Sequence, residues 1–178
     1  FQMKDEIEEN EDEMDMVDRV ILDACCGGRH IWIQKNNDKT VYMDIRAVER
    51  GTIQLQPNWC VEPDIVSDYR DMPFDDNTFR LVVWDVPHKI KPDRGIITTK
   101  YGNLGNRWKE DLAEGFDEIM RVLKPEGILC FKFNDLDISF KEVLDIFPVK
   151  PLFGTPTKKG VNNTAWFIYM KDCKEESE

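Results

Sequence analysis

Four aspartates stand where apolar runs of this sequence end, at Asp23, Asp44, Asp68 and Asp85, and a turn of small residues, Ala24-Cys25-Cys26-Gly27-Gly28, follows the first of them. A strand that breaks into residues of so little bulk lets a ligand touch backbone. A carboxylate about twenty residues further on has the spacing at which an acidic group receives the two hydroxyls of a ribose. Asp23, Asp44 and Asp68 in register at successive strand ends therefore read as a ligand site rather than as three solvated turn residues. A dinucleotide is disfavoured, because the third glycine that lets a helix approach a pyrophosphate is missing, and His30, Ile31 and Trp32 stand after Gly28 instead. A loop with a carboxylate at the strand end suits a smaller, cationic ligand.

A second constellation is Asp85-Val86-Pro87-His88. A carboxylate at a strand end accepts hydrogen bonds, and an imidazole three residues on can stack on a planar group or take up a proton. Cys25 and Cys26 read as small loop residues. With only His30 and His88 as histidines, a metal site lacks partners and none is expected.

The elements that must hold these groups alternate between strand and helix. Strand one covers Arg19 to Ala24, a short helix His30 to Lys35, strand two Thr40 to Ile45, strand three Asp64 to Ser67 and strand four Phe79 to Asp85. Residues 46–63 carry Gly51 and Pro57, so a loop or small hairpin is expected there. Leu112, Phe116, Ile119, Met120 and Leu123 recur at helical spacing, and Lys124-Pro125-Glu126-Gly127 stops that helix, because a residue before proline avoids helical geometry. Strand five is Ile128 to Phe133, and a helix follows over Ser139 to Phe147. Pro151 to Gly154 and Thr164 to Met170 are the last strands, joined by a hairpin turn at Lys158 to Asn163.

The formal net charge of -11 over 178 residues is unevenly placed. Residues 1–18 hold nine acidic groups against Lys4 alone, and residues 172–178 are acidic as well, so both ends read as solvated tails around a nearly neutral domain, 19–171. Phe1-Gln2 reads as a tag remnant, with Met3 the native start. No membrane span or secretory signal is found, five cysteines including an adjacent pair fit reduced thiols, and a cytoplasmic protein is expected.

The stretch Arg19 to Gly28 with Asp44, the stretch Asp64 to Phe74 (Asp-Ile-Val-Ser-Asp-Tyr-Arg-Asp-Met-Pro-Phe), the run Phe79 to His88 and Arg121-Val-Leu-Lys-Pro-Glu-Gly127 together resemble the class I S-adenosylmethionine-dependent methyltransferases. More narrowly, the Asp-Ala-Cys-Cys-Gly loop, Arg-Asp-Met-Pro-Phe and the Pro-His ending look like short methyltransferase-like proteins carried by phages and prophages. The resemblance implies an α/β fold, a Rossmann-like three-layer sandwich with a mostly parallel seven-stranded sheet in the order 3-2-1-4-5-7-6 and the last strand antiparallel. It implies S-adenosylmethionine as cofactor, with Asp23, Ala24, Cys25 and Gly27 around the methionyl part, Asp44 and Ile45 at the ribose, and Asp68 and Tyr69 at the adenine, Asp85 closing the site. The stretch Asp85 to His88 is similar to the Asp-Pro-Pro-Tyr signature of methyltransferases acting on exocyclic amino groups of bases or on planar amide nitrogens, Val86 and His88 departing from it. By that likeness Asp85, Pro87 and His88 are the catalytic candidates: the carboxylate and a backbone carbonyl accept the amino hydrogens, and His88 stacks or takes the proton.

The segment after His88 points to the acceptor. Lys89, Lys91, Arg94, Lys100, Arg107 and Lys109 stand against Asp93 alone, with Tyr101 and Trp108 interleaved, a composition that can reach phosphates and stack a base. A long solvated lid is the competing reading. Nitrogen methylation of a nucleobase in nucleic acid or a nucleotide is thus expected, beside two alternatives: a small-molecule methyltransferase, or a binding protein that has lost catalysis.

Overall fold

The computed structural model describes residues 19–92, 95–155 and 163–172. Its centre is β1 (Ile21–Asp23), which lies between β2 (Thr40–Asp44) and β4 (Phe79–Asp85) and runs parallel to both. A strand with neighbours on both edges and cover on both faces is apolar throughout, and all five residues of β2 are buried. β3 (Ile65–Val66) extends the sheet beyond β2, and β5 (Leu123–Asn134) adds to β4, both parallel. β7 (Thr164–Met170) pairs antiparallel with β5, and the two-residue β6 (Phe153–Gly154) closes that edge. The seven strands take the order β3-β2-β1-β4-β5-β7-β6, as the resemblance implies.

Three helices stand among the described residues: α1 (Ile96–Tyr101), α2 (Trp108–Val122) and α3 (Phe140–Leu144). Leu112, Phe116, Ile119 and Val122 give α2 one buried face, with Glu110 and Asp111 in its first turn and Arg121 in its last, each suited to the helix dipole there. Gly115 belongs to the same face for a steric reason. A Cβ on it would stand 2.5 Å from the Tyr69 ring and 2.9 Å from Trp84. Trp84, Phe131, Phe147 and Tyr169 continue this aromatic core across the sheet.

Several expectations are corrected. Residues 30–35 form turns, not a helix: Arg29 takes a left-handed φ of 53°, and its guanidinium bonds the carbonyls of Lys35 and Glu62 and the Asn36 side chain, which holds the segment as a folded loop. The helix expected over Ser139–Phe147 is shorter; its start is fixed by a capping box in which Ser139 and Glu142 bond each other's backbone N–H, and it ends at Leu144. α2 stops at Val122, ahead of the expected Lys124–Gly127, and Leu123, read as helical, begins β5, which runs through Pro125, five residues ahead of Ile128. α1 was not expected at all. Residues 46–63 do form a small hairpin-like loop, bridged antiparallel between Val48 and Val61 over a satellite core of Tyr42, Ile53 and Trp59. The hairpin turn expected at Lys158–Asn163 lies, apart from Asn163, outside the described residues, as do both acidic tails but for Asp172. No helix among the described residues is long and apolar enough to cross a membrane.

Candidate functional site

The carboxyl ends of β1, β2 and β4 face one cleft of about 600 Å³, where open parallel sheets bind their ligands. The turn after β1 is shaped by the sheet itself. The Ala24 amide donates to the Val83 carbonyl at 2.9 Å and the Cys26 amide to Met43 at 2.8 Å, so the chain stays bonded to both neighbouring strands before it peels away at Gly27, whose φ is +46°. Gly28 is needed for space: a Cβ there would meet the ring nitrogens of His30 and Trp59, each at 2.9 Å. Ala24, Cys25 and Gly27 line the cleft as expected of a backbone-presenting turn. The thiols of Cys25 and Cys26 stay protonated, burial pushing the first well up and the second to about 12, so neither is a nucleophile or a ready metal ligand.

Asp44 lines the cleft, nearly buried. Its Oδ2 accepts the Gly27 amide at 2.9 Å and its Oδ1 the Arg46 amide at 3.0 Å. Ile45 stands beside it on the rim, half exposed. Asp23 is placed differently from the expectation. It is wholly buried and is not part of the cleft wall; its Oδ2 accepts the Trp32 indole N–H at 2.6 Å and its Oδ1 the Cys25 amide at 3.3 Å, so it supports the turn from beneath. Burial raises its carboxyl to about 7, the Trp32 hydrogen bond pulling the other way.

At the end beyond β3, Asp68 and Tyr69 both line the cleft. Asp68 is held by hydrogen bonds from Arg70, which keep its carboxyl below its ordinary range, and the Arg70 guanidinium also reaches Asp111 at 2.7 Å. The Tyr69 ring stands edge-on to Trp84, with centroids 5.4 Å apart.

Asp85, Val86, Pro87 and His88 form the facing wall. Asp85 Oδ2 accepts a hydrogen bond from Lys132 Nζ at 2.7 Å, across the register that pairs Asp85 with Lys132 in β4 and β5. Burial raises the Asp85 carboxyl, and the Lys132 ammonium pulls it back. His88 is shifted the other way, burial pushing its imidazole below its ordinary value against the attraction of Asp85. Tyr101, Gly102, Asn103 and Leu104 complete the wall from the segment after His88, tied down by Leu104 N–H to the Lys89 carbonyl at 2.7 Å and Gly105 N–H to Ile90 at 3.0 Å.

The basic segment is less available than its composition implies. Lys100 is buried, its Nζ donating to Gln56 Oε1 at 2.9 Å between the rings of Trp59 and Tyr101, so it braces α1 on the 46–63 loop and offers nothing to a phosphate. Arg107 pairs with Glu114 and Asp111, Lys109 lies over the Trp108 ring, and Lys91 is exposed; Arg94 lies outside the described residues. Sequence reasoning missed Trp32, Arg46, Asp111 and Lys132. Among the described residues no group of three or more His, Cys, Asp or Glu side chains is placed to hold a metal ion.

No family model matches the sequence, and no curated protein does. Solved structures do resemble it. A Pyrococcus horikoshii protein matches with a TM-score of 0.55 at 15% identity over 85% of this chain and 81% of that one. An rRNA methylase from Streptococcus thermophilus matches with a TM-score of 0.51 at 14% identity, over 94% of this chain and 97% of its own. A TehB-like S-adenosylmethionine-dependent methyltransferase from Corynebacterium glutamicum matches with a TM-score of 0.51 at 17% identity, over 85% and 79%. The fold is the Rossmann-like fold of these methyltransferases.

Proposed function

We propose that this protein is an S-adenosylmethionine-dependent methyltransferase that methylates a nitrogen, with an exocyclic amino group of a nucleobase as the leading acceptor. The observation that carries the reading is Asp44 and Asp85 facing one cleft from the ends of β2 and β4, in a methyltransferase fold. The residues present fit the cofactor. About 600 Å³ lies within the range of small-molecule sites. A carboxylate offers about four lone-pair sites, so Asp44 keeps one on each oxygen for a diol after bonding Gly27 and Arg46. Asp44 supplies negative charge for a ligand that carries an ammonium and a sulfonium, Asp85 being paired with Lys132.

When bound, S-adenosylmethionine supplies an electrophilic methyl group. What this chain does is hold the acceptor. Asp85 Oδ1 accepts one amino hydrogen, the carbonyl of Val86 or Pro87 accepts a second, and the nitrogen lone pair is thereby directed at the donor. His88, on the same wall of the cleft as Asp85, takes up the proton released on transfer. With Lys100 and Arg107 engaged elsewhere, the reading places a single base or nucleotide ahead of a long polymer. It carries with it the narrower likeness to phage and prophage proteins and a cytoplasmic site of action.

The test is a calorimetric titration with S-adenosylmethionine, followed by a screen with radiolabelled cofactor over nucleosides, nucleotides, RNA, DNA and small amines. Binding with transfer to a base amine is expected. No binding removes the reading; binding without transfer to any acceptor leaves a binding protein in its place.

A further inference from the structure

The pair formed by Asp85 and Lys132 has one side turned to the cleft. Lys132 is the one charge in the apolar stretch Ile128 to Phe133 of β5, which the register lays beside the end of β4, and both side chains are about a quarter exposed. Their contact uses Asp85 Oδ2 and one ammonium hydrogen. Asp85 Oδ1 and the remaining Lys132 donors have no other hydrogen-bond partner among the described residues, and both residues line the cleft. A carboxylate oxygen and an ammonium N–H thus stand side by side, an acceptor next to a donor. The titratable groups around them are Asp23 and the protonated Cys25 from β1 and its turn, His30 from the loop that follows, and His88 on the same segment as Asp85.

Resting on the reading above, we propose that Lys132 determines acceptor specificity, by bonding a hydrogen-bond acceptor atom that neighbours the reacting –NH2 on the substrate. The chemical class is an amidine-like or amide-like edge: an amino group on a ring carbon next to an unprotonated ring nitrogen, as in the bases cytosine and adenine. The amino hydrogen meets Asp85 and the ring nitrogen meets Lys132. An amine without that neighbouring acceptor leaves a partly desolvated ammonium facing carbon, which a polar site rejects strongly. Transfer then proceeds with the electron pair of the nitrogen forming the new N–C bond, the S–C bond breaking to a neutral thioether, and the proton leaving to His88 or water.

The experiment uses the full chain with S-adenosylmethionine and two matched pairs of acceptors, cytidine against 3-deazacytidine and adenosine against 1-deazaadenosine, in which a ring nitrogen beside the amine becomes C–H. Wild type should favour one parent over its deaza partner by at least about tenfold in kcat/KM, chiefly through KM. Lys132→Met should level the two by losing the parent, and Lys132→Arg should restore part of the preference. Equal use of parent and deaza compound by the wild type overturns the proposal. So does a preference that Lys132→Met retains, or no transfer to any of the four. Cofactor binding, measured in parallel by calorimetry on each variant, separates that failure from failure of the methyltransferase reading and from misfolding.

Discussion

Asp44 and Gly27 are joined by a hydrogen bond of 2.9 Å in which the carboxylate at the end of β2 accepts the amide of the turn after β1, so the two make one wall of the cleft. Asp44 is therefore both a ligand group and a brace. Asp44→Ala should weaken S-adenosylmethionine binding about tenfold to a hundredfold, since bonds to charged groups contribute roughly 1.5 to 3 kcal/mol. It should also lower stability by about 1 kcal/mol, because the Gly27 amide loses its partner. Asp44→Asn keeps an acceptor for Gly27 and should recover the stability while remaining weak in binding. Calorimetry and thermal melts on both variants check this; unchanged affinity in Asp44→Ala removes Asp44 from the site.

Asp23 makes stability depend on pH in an unusual direction. Its carboxyl is raised to about 7 by burial, so the folded state holds a proton there that the unfolded chain, at its ordinary value of 3.8, gives up. The stabilising contribution of the protonated form is complete below pH 4 and is lost as pH rises through 7. Its full extent is on the order of 4 kcal/mol. Asp23→Asn cannot ionise and still accepts one of the two hydrogen bonds, from Trp32 or Cys25. Denaturant melts of variant and wild type between pH 5 and pH 8.5 should show the variant gaining relative stability with rising pH. A difference independent of pH shows that Asp23 does not change its protonation on unfolding.

Much of this was legible in the sequence because strand ends are. Continuous apolar runs closed by Asp23, Asp44 and Asp85 give the parallel strands, and the spacing of Leu112, Phe116 and Ile119 gives α2. What was not legible came from contacts distant in sequence. Trp32 reaches back to Asp23, Arg29 crosses to the Glu62 carbonyl, and these bonds fold residues 29–36 into turns whatever their local preference. Lys100 looks like a solvated cation from its neighbours, and only the arrival of Gln56 and Trp59 buries it. Lys132 had one local signal, a single charge in the apolar run Ile128 to Phe133, but its partner is 47 residues away.

Gly115 should prove as intolerant as a loop glycine, although it sits in the middle of a helix. Alanine is ordinarily the better helix former, by about 1 kcal/mol. Here its Cβ would overlap the Tyr69 ring at 2.5 Å and press on Trp84 at 2.9 Å, both of them packed side chains. Gly115→Ala should therefore destabilise by about 1 to 3 kcal/mol in a thermal melt, the range for overpacking. It should also weaken cofactor binding, because Tyr69 is pushed from its place on the cleft wall. A more stable variant would show that the helix can slide away from the sheet at little cost.

Asp85 separates chemistry from binding, and Lys132 sets the pH at which it works. Burial raises the Asp85 carboxyl and the Lys132 ammonium holds it down, so Lys132→Met should raise it further, which a 13C NMR titration of the side-chain carboxyl reads without any substrate. Only the ionised carboxylate accepts both an amino hydrogen and the lysine. Methyl transfer should then fall as pH drops through that value, and the acid limb of the rate profile should move to higher pH in Lys132→Met. Asp85→Ala should lower transfer by at least about a hundredfold, as loss of a preorganised electrostatic partner does, while S-adenosylmethionine affinity changes little because Asp44 and the turn after β1 remain. The opposite pattern, full activity with weakened cofactor binding, would make Asp85 a cofactor contact alone and pass the acceptor role to another residue of that wall.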